Sequence, residues 1–146
     1  MDDWSRLDDY CRIEGGCGIV IGKYVHICSF ASIYGGGKAV IGDYCGITQG
    51  ARLITGTEQL TGVMSASAPK KLRDTMRGVI TMQPHSFIAA NAVVLPNVTI
   101  GEGAVVSAGS LVRKDVESWV VVAGNPARVV SRRKPLDIDK LKVRPE

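Results

Sequence analysis

Aromatic side chains are scarce in this chain: phenylalanine, tryptophan and tyrosine together make up 5% of its 146 residues. Large rings commonly fill irregular cores, so their scarcity favours many short, similar niches occupied by Val, Ile, Leu, Ala and Gly. Histidine is scarcer still, with only His26 and His85. A catalytic zinc site takes about three protein ligands, usually histidines, so no metal set is expected. The four cysteines, Cys11, Cys17, Cys28 and Cys45, lie in the first third and form no Cys-x-x-Cys pair or other zinc spacing, which predicts a reduced, cytoplasmic chain. No apolar run approaches the ~20 residues that span a bilayer, and the acidic start Met1-Asp-Asp-Trp is unlike a signal peptide. A soluble protein with no membrane partner is therefore expected. Nucleic acid is not an expected partner either, because no aromatic-and-basic stripe or reading helix accompanies the net charge of +4. The positive excess gathers after Ala127, in Arg128, Arg132, Arg133, Lys134, Lys140, Lys142 and Arg144, and points to a local anionic partner.

What the chain does have is a repeat. Steps of six run from Ile21 to Ile27 and Ile33, resume after two extra residues at Ile41, Ile47 and Leu53, and continue after a long break through Met82, Ile88, Val94, Ile100, Val106 and Val112. Four residues beyond most of these stand small or modest side chains: Val25, Ala31, Gly37, Cys45, Ala51, Ser86, Ala92, Val98, Ala104 and Ser110. A helix repeats its apolar face near 3.6 residues and a half-buried strand alternates with period two, so a step of six fits neither as a continuous segment. It fits short strands joined by tight turns, three hexads to a triangular coil. The large aliphatic fills the interior, the small residue tucks in beside the turn, and Gly22, Gly42 and Gly101 supply relaxed backbone for turning. Stacked coils then satisfy each other's backbone groups at ~4.8 Å, as parallel sheets around a dry axis.

The run Ile88-Ala-Ala-Asn-Ala-Val-Val-Leu-Pro-Asn-Val-Thr-Ile-Gly-Glu-Gly-Ala-Val-Val-Ser-Ala-Gly-Ser-Leu-Val, followed by Ala123-Gly-Asn-Pro-Ala-Arg, resembles the hexapeptide-repeat acyltransferase family, and the likeness extends over residues 19 to 131. The resemblance implies an all-β, left-handed parallel β-helix, against the right-handed preference of ordinary parallel crossovers. It looks most like the branch that acetylates sugars and nucleotide-linked sugars for surface polysaccharide, such as lipopolysaccharide. Implied with it are acetyl-CoA as acyl donor, a sugar or nucleotide-sugar acceptor and a homotrimer, in which a groove between prisms is repeated by cyclic symmetry. A single domain over 1–146 is expected: an N-terminal cap at 1–20 with Trp4 and Tyr10 as plugs, a β-helix over 21–122 interrupted by a loop at 55–81, and a basic C-terminal tail over 123–146. Loops of that length are functional or disordered; in the family such an excursion projects over the neighbouring subunit and helps wall the active site.

Acetyl transfer needs a base, donors for the developing oxyanion and a groove for the pantetheine arm. His85 follows the loop, at the fourth, outward place of its hexad, and is the candidate general base; an ordinary turn residue is the plainer reading. His26 ends its hexad at a corner and is a candidate substrate contact, about two coils from His85. Asp43, Glu58 and Thr57 are polar candidates for sugar hydroxyls. The resemblance puts the pantetheine arm beside hexads like those of Ala90 and Ala108, and the nucleotide portion at Arg113, Lys114, Arg128 and Arg132, where arginine can pair bidentately with phosphate. Two rival readings share the architecture: a non-catalytic scaffold module, and a zinc-dependent, carbonic-anhydrase-like β-helix.

Overall fold

A computed structural model describes residues 4–140, so Lys142, Arg144 and the first three residues lie outside it. In chain order the strands are β1 (Arg6–Leu7), β2 (Arg12–Ile13), β3 (Ile19–Ile21), β4 (His26–Ile27), β5 (Ser32–Tyr34), β6 (Lys38–Ile41), β7 (Gly46–Ile47), β8 (Arg52–Ile54) and β9 (Gly56–Glu58). They continue as β10 (Thr75–Arg77), β11 (Val79–Met82), β12 (Phe87–Ile88), β13 (Val93–Val94), β14 (Thr99–Ile100), β15 (Val105–Val106), β16 (Leu111–Val112), β17 (Val120–Gly124) and β18 (Ala127–Arg132). Short 3₁₀ turns at Lys70–Leu72 and Ile138–Lys140 are the helical elements among the described residues.

Three sheets form the faces of a prism. The first face stacks β1-β4-β7-β12-β15-β17-β18, the second β2-β5-β8-β13-β16 and the third β3-β6-β11-β14. Pairing is parallel throughout, except where β17 and β18 fold back on each other and where β9 and β10 form a hairpin. The register lays each large aliphatic on its equivalent one coil away. On the first face Ile27, Ile47, Ile88, Val106 and Val122 follow one another. The second face aligns Ile33, Leu53, Val94 and Val112, and the third Ile21, Ile41, Met82 and Ile100. The small residues four places on, Val25, Ala31, Cys45, Ala51, Ala92, Val98 and Ala104, are equally buried. The step of six is therefore a prism interior seen along the chain.

The corners turn by a different device from the one expected. Gly22, Gly42 and Gly101 keep negative φ; what they lack is room. A Cβ on Gly42 would stand 2.9 Å from the Met82 carbonyl oxygen, and one on Gly101 2.4 Å from the Ser118 nitrogen. The left-handed conformation falls instead on Tyr24, Phe30, Tyr44, His85, Asn91, Asn97 and Trp119, with φ between 56° and 63°, and on three other corner glycines, Gly50, Gly103 and Gly109. Asparagine tolerates that region, but for a larger residue it costs roughly 1–2 kcal/mol. Stacking offsets the cost on one edge, where Trp4, Tyr24, Tyr44 and His85 form a ladder with centroid separations of 6.4, 4.9 and 5.0 Å and planes within 8°; such pairs contribute about 0.5–1.5 kcal/mol each.

The lead-in also differs from a cap. β1, β2 and β3 pair in parallel with β4, β5 and β6 and make a first coil. Trp4 and Tyr10 are 78% and 79% exposed and plug nothing; Tyr10 stacks on Phe30 at another edge. At the other end, much of the expected tail is the edge strand β18. The loop is ordered at its base by the β9–β10 hairpin, and the third face resumes at Val79 with Ile80 fully buried.

If the interior column is the source of stability, Ile88→Ala should cost about 2–5 kcal/mol in denaturant unfolding. A loss below about 1 kcal/mol, the size of an ordinary surface change, would contradict this packing.

Candidate active site

The predicted site residues fall on different edges of one prism. His85 sits on the edge between the third and first faces, directly before β12. Its backbone N–H donates to the Asp43 carbonyl oxygen at 3.0 Å, and its ring lies against Tyr44 with planes 7° apart. The histidine ring hydrogen bonds among the described residues all belong to His26. The His85 imidazole is thus fixed in position by stacking while its nitrogens stay open to a ligand.

Asp43 lies on the same edge. Its Oδ1 accepts the Lys23 N–H at 2.8 Å, tying one coil to the next. Asn97 does the same for Val79 at 3.1 Å and Asp115 for Thr99 at 2.8 Å. The same job is done here by Asp43 and, on the edge between the second and third faces, by Asn97 and Asp115, which marks Asp43 as part of the frame. His26 is not at a corner: it stands on the flat outer surface of the first face, in β4, and that corner belongs to Tyr24. The expected offset of two coils between the histidines is present, through the pairings β4–β7 and β7–β12.

Ala90 and Ala108 occupy the edge between the first and second faces. They stand one coil apart, linked where the Gly109 N–H donates to the Ala90 carbonyl at 2.9 Å. Both are at least partly exposed, so the backbone there is open to an extended ligand.

The third edge, between the second and third faces, carries the loop and the basic groups. Glu58 in β9 accepts Arg73 through Oε1, and its Oε2 accepts Thr75 Oγ1 at 3.0 Å. The Arg73 guanidinium holds the Glu58 carboxyl below the usual carboxylate range. Glu58 is therefore committed to the loop's own structure. Thr57, beside it, is exposed and donates to the Glu58 carbonyl at 3.3 Å. Farther along that edge an open cleft of about 410 Å³ is lined by Arg113, Lys114, Asp115, Glu117 and Arg128 over an apolar floor of Val112 and Val122. Three of the four expected nucleotide-binding cations meet there. Arg132 is outside that lining and lies 3.4 Å from Glu117.

Two features were not anticipated. A second basic pocket of about 250 Å³ is formed within the loop by Lys70, Arg73, Thr75 and Arg77. The sequence shows a polar loop, but only the hairpin pairing turns Arg73, Thr75 and Arg77 toward Lys70. The other is Asp8, His26 and Cys28, whose ligand-type atoms lie within 4.8 Å of one another. The signal was a twenty-residue coil: Asp8 and Cys28, like Trp4 and Tyr24 or Tyr10 and Phe30, are twenty apart. Hydrogen bonding to His26 lowers the Asp8 pKa, while burial and the neighbouring Asp8 charge raise that of the Cys28 thiol.

Known proteins share this architecture and several of them hold the ligands such a surface suits. A family model described as bacterial transferase hexapeptide (six repeats) matches residues 80–114. A dTDP-4-amino-4,6-dideoxy-D-glucose acyltransferase of Escherichia coli is 34% identical over 131 residues, covering 88% of this chain and 68% of that protein. Among solved structures, a variant of AntD, an N-acyltransferase from Bacillus cereus in complex with dTDP-4-amino-4,6-dideoxyglucose and coenzyme A, superposes with a TM-score of 0.85 at 28% identity, covering 90% of this chain and 71% of that one. A hexapeptide-repeat acetyltransferase of Vibrio cholerae complexed with acetyl-CoA gives a TM-score of 0.79 at 27% identity, over 90% of this chain and 69% of that one. With its coils, its register and a relative aligned over two thirds of that relative's length, the chain belongs to the hexapeptide-repeat transferase family, as an acyltransferase.

Proposed function

We propose that this protein transfers an acetyl group from acetyl-CoA to the amino group of a sugar carried on a nucleoside diphosphate, as a homotrimer. The observation that carries the reading is the pair of separate basic pockets on one prism edge. One donor and one acceptor, each bearing phosphates, need two such anchors. Arg113, Lys114 and Arg128 suit the phosphates of coenzyme A, and Lys70 with Arg77 suits the diphosphate of the acceptor, since arginine offers a planar fork to phosphate oxygens. The Escherichia coli and Bacillus cereus relatives, named for or bound to a dTDP-linked amino sugar, support the amine over a hydroxyl.

In the reaction the amine nitrogen forms a bond to the thioester carbonyl carbon. The C–S bond breaks and the sulfur departs as thiolate, while one proton leaves the nitrogen. His85 is the proposed acceptor of that proton and returns it to the sulfur, so that coenzyme A is released as the thiol. Within one chain, though, the loop and His85 are separated by the width of the third face, and Ala90 and Ala108 stand on yet another edge. Bringing them to one substrate requires the edge of one prism to face the edge of the next, which supports a closed ring of three. Exposed Val20, Val79 and Phe87 offer apolar surface for such contacts. The acetyl donor and a dedicated place in surface polysaccharide synthesis belong to the same proposal. So does a cytoplasmic location, supported by four free cysteines; among the described residues no helix is long and apolar enough to cross a membrane.

Two variants separate the pockets. Arg128→Ala should raise KM for acetyl-CoA with little change for the acceptor, and Arg77→Ala should do the reverse. An identical pattern from both would undo the assignment. Replacing His85 by Ala should lower kcat by ~10²–10⁴-fold, as for loss of an acid–base group, whereas an unchanged rate at all pH values would remove it from the chemistry.

A further inference from the structure

At the first coil, far along the chain from the basic cleft, three chemically different ligand groups meet. His26 and Cys28 are two places apart on β4 and its continuation, so both project from the outer surface of the first face. The twenty-residue coil sets Asp8 beside Cys28, since Arg6 pairs with His26 and Leu7 with Ile27 in the β1–β4 register. The His26 Nε2 atom lies 3.0 Å from Asp8 Oδ2 and 3.7 Å from Cys28 Sγ.

We propose that Asp8, His26 and Cys28 bind a zinc-like divalent cation that fastens the first coil to the second. Zinc bonded to nitrogen, oxygen and sulfur at about 2.0–2.3 Å places neighbouring ligand atoms of a tetrahedron about 3.3–3.6 Å apart. The two measured separations bracket that range, so small side-chain rotations close the site around an ion. A thiolate and a carboxylate together balance a dication's charge. An imidazole–thiolate–carboxylate set selects zinc or cobalt over magnesium or calcium, which take oxygen alone. The neighbouring side chain orients one ligand: the Arg6 Nε donates to Asp8 Oδ1 at 2.7 Å, leaving Oδ2 turned toward His26, in the manner of outer groups that aim metal ligands. The side chain of His26 is 45% exposed, which gives the ion an entry path and leaves its fourth position to water.

The site has a structural purpose. β1 is held to β4 by two register pairs, Arg6 with His26 and Leu7 with Ile27, a short hold between neighbouring coils. A cation bridging Asp8 to His26 and Cys28 reinforces that pairing. Because it binds the folded chain, it raises the unfolding temperature, and the rise keeps growing with the logarithm of free ion once that exceeds Kd. The proposal is independent of the acyl-transfer reading, and so is its test.

The purified full chain, stripped with chelator, is titrated with cobalt(II) and with zinc(II). One equivalent of cobalt should produce a thiolate-to-metal absorption band in the near ultraviolet, and zinc should displace it and raise Tm. Cys28→Ser should abolish the band. Asp8→Asn and His26→Ala should weaken binding at least 10-fold, and Cys17→Ser, an exposed thiol at another corner, should change nothing. Absence of the band in the folded wild type, or a band that survives Cys28→Ser, overturns the proposal and leaves an ordinary Asp8–His26 ion pair.

Discussion

Everything in this molecule depends on one constraint: each coil must present its backbone N–H and C=O groups to the coil above and below at matching positions. Strands of two to four residues have no stability alone. They persist because the register repeats, with Ile27 over Ile47 over Ile88 over Val106 on one face and equivalent columns on the others. A coil that approached its neighbour less closely would break the ladder. That is why Gly42 and Gly101 stand where a Cβ would strike backbone, and why Asp43, Asn97 and Asp115 spend a side-chain oxygen on an N–H of the next coil. Residues that look like polar surface are part of the frame.

The same constraint explains what could be read from the sequence. An interior position tolerates a narrow set of aliphatic side chains, so Ile21, Ile27, Ile33 and their successors repeat visibly, and the coil architecture is legible from them. Corner geometry is less visible because several residue types meet it by different means: Asn91 and Asn97 through tolerance of left-handed backbone, Tyr24, Tyr44 and His85 through stacking. The glycines were legible as corner residues but their reason was not, because a close approach depends on the coil above and leaves no local mark. For the same reason Trp4 and Tyr10 read as plugs, when they are the outer rungs of edge ladders.

The candidate site divides along similar lines. The clustering of Arg113, Lys114 and Arg128 follows from the turn after β16 and the fold-back of β18, and it agrees with their concentration near the end of the chain. Glu58 is a poor guide to the acceptor, because its oxygens are taken by Arg73 and Thr75. The pocket of Lys70, Arg73 and Arg77 depends on a hairpin within a segment that carries no periodicity. Nor do sequence positions alone reveal that His85, the Ala90–Ala108 pair and the loop occupy three separate edges. The proposed ring of three rests on that separation.

The central claim is that this prism edge holds the phosphates of an acyl-CoA. A crystal structure of the protein with coenzyme A bound tests it most directly. The account predicts nucleotide phosphates within hydrogen-bonding distance of Arg113, Lys114 or Arg128, with the pantetheine arm running past Ala90 or Ala108 of the same or an adjacent prism. Coenzyme A seated away from both, or a molecule in which the prisms do not meet along their edges, would contradict it.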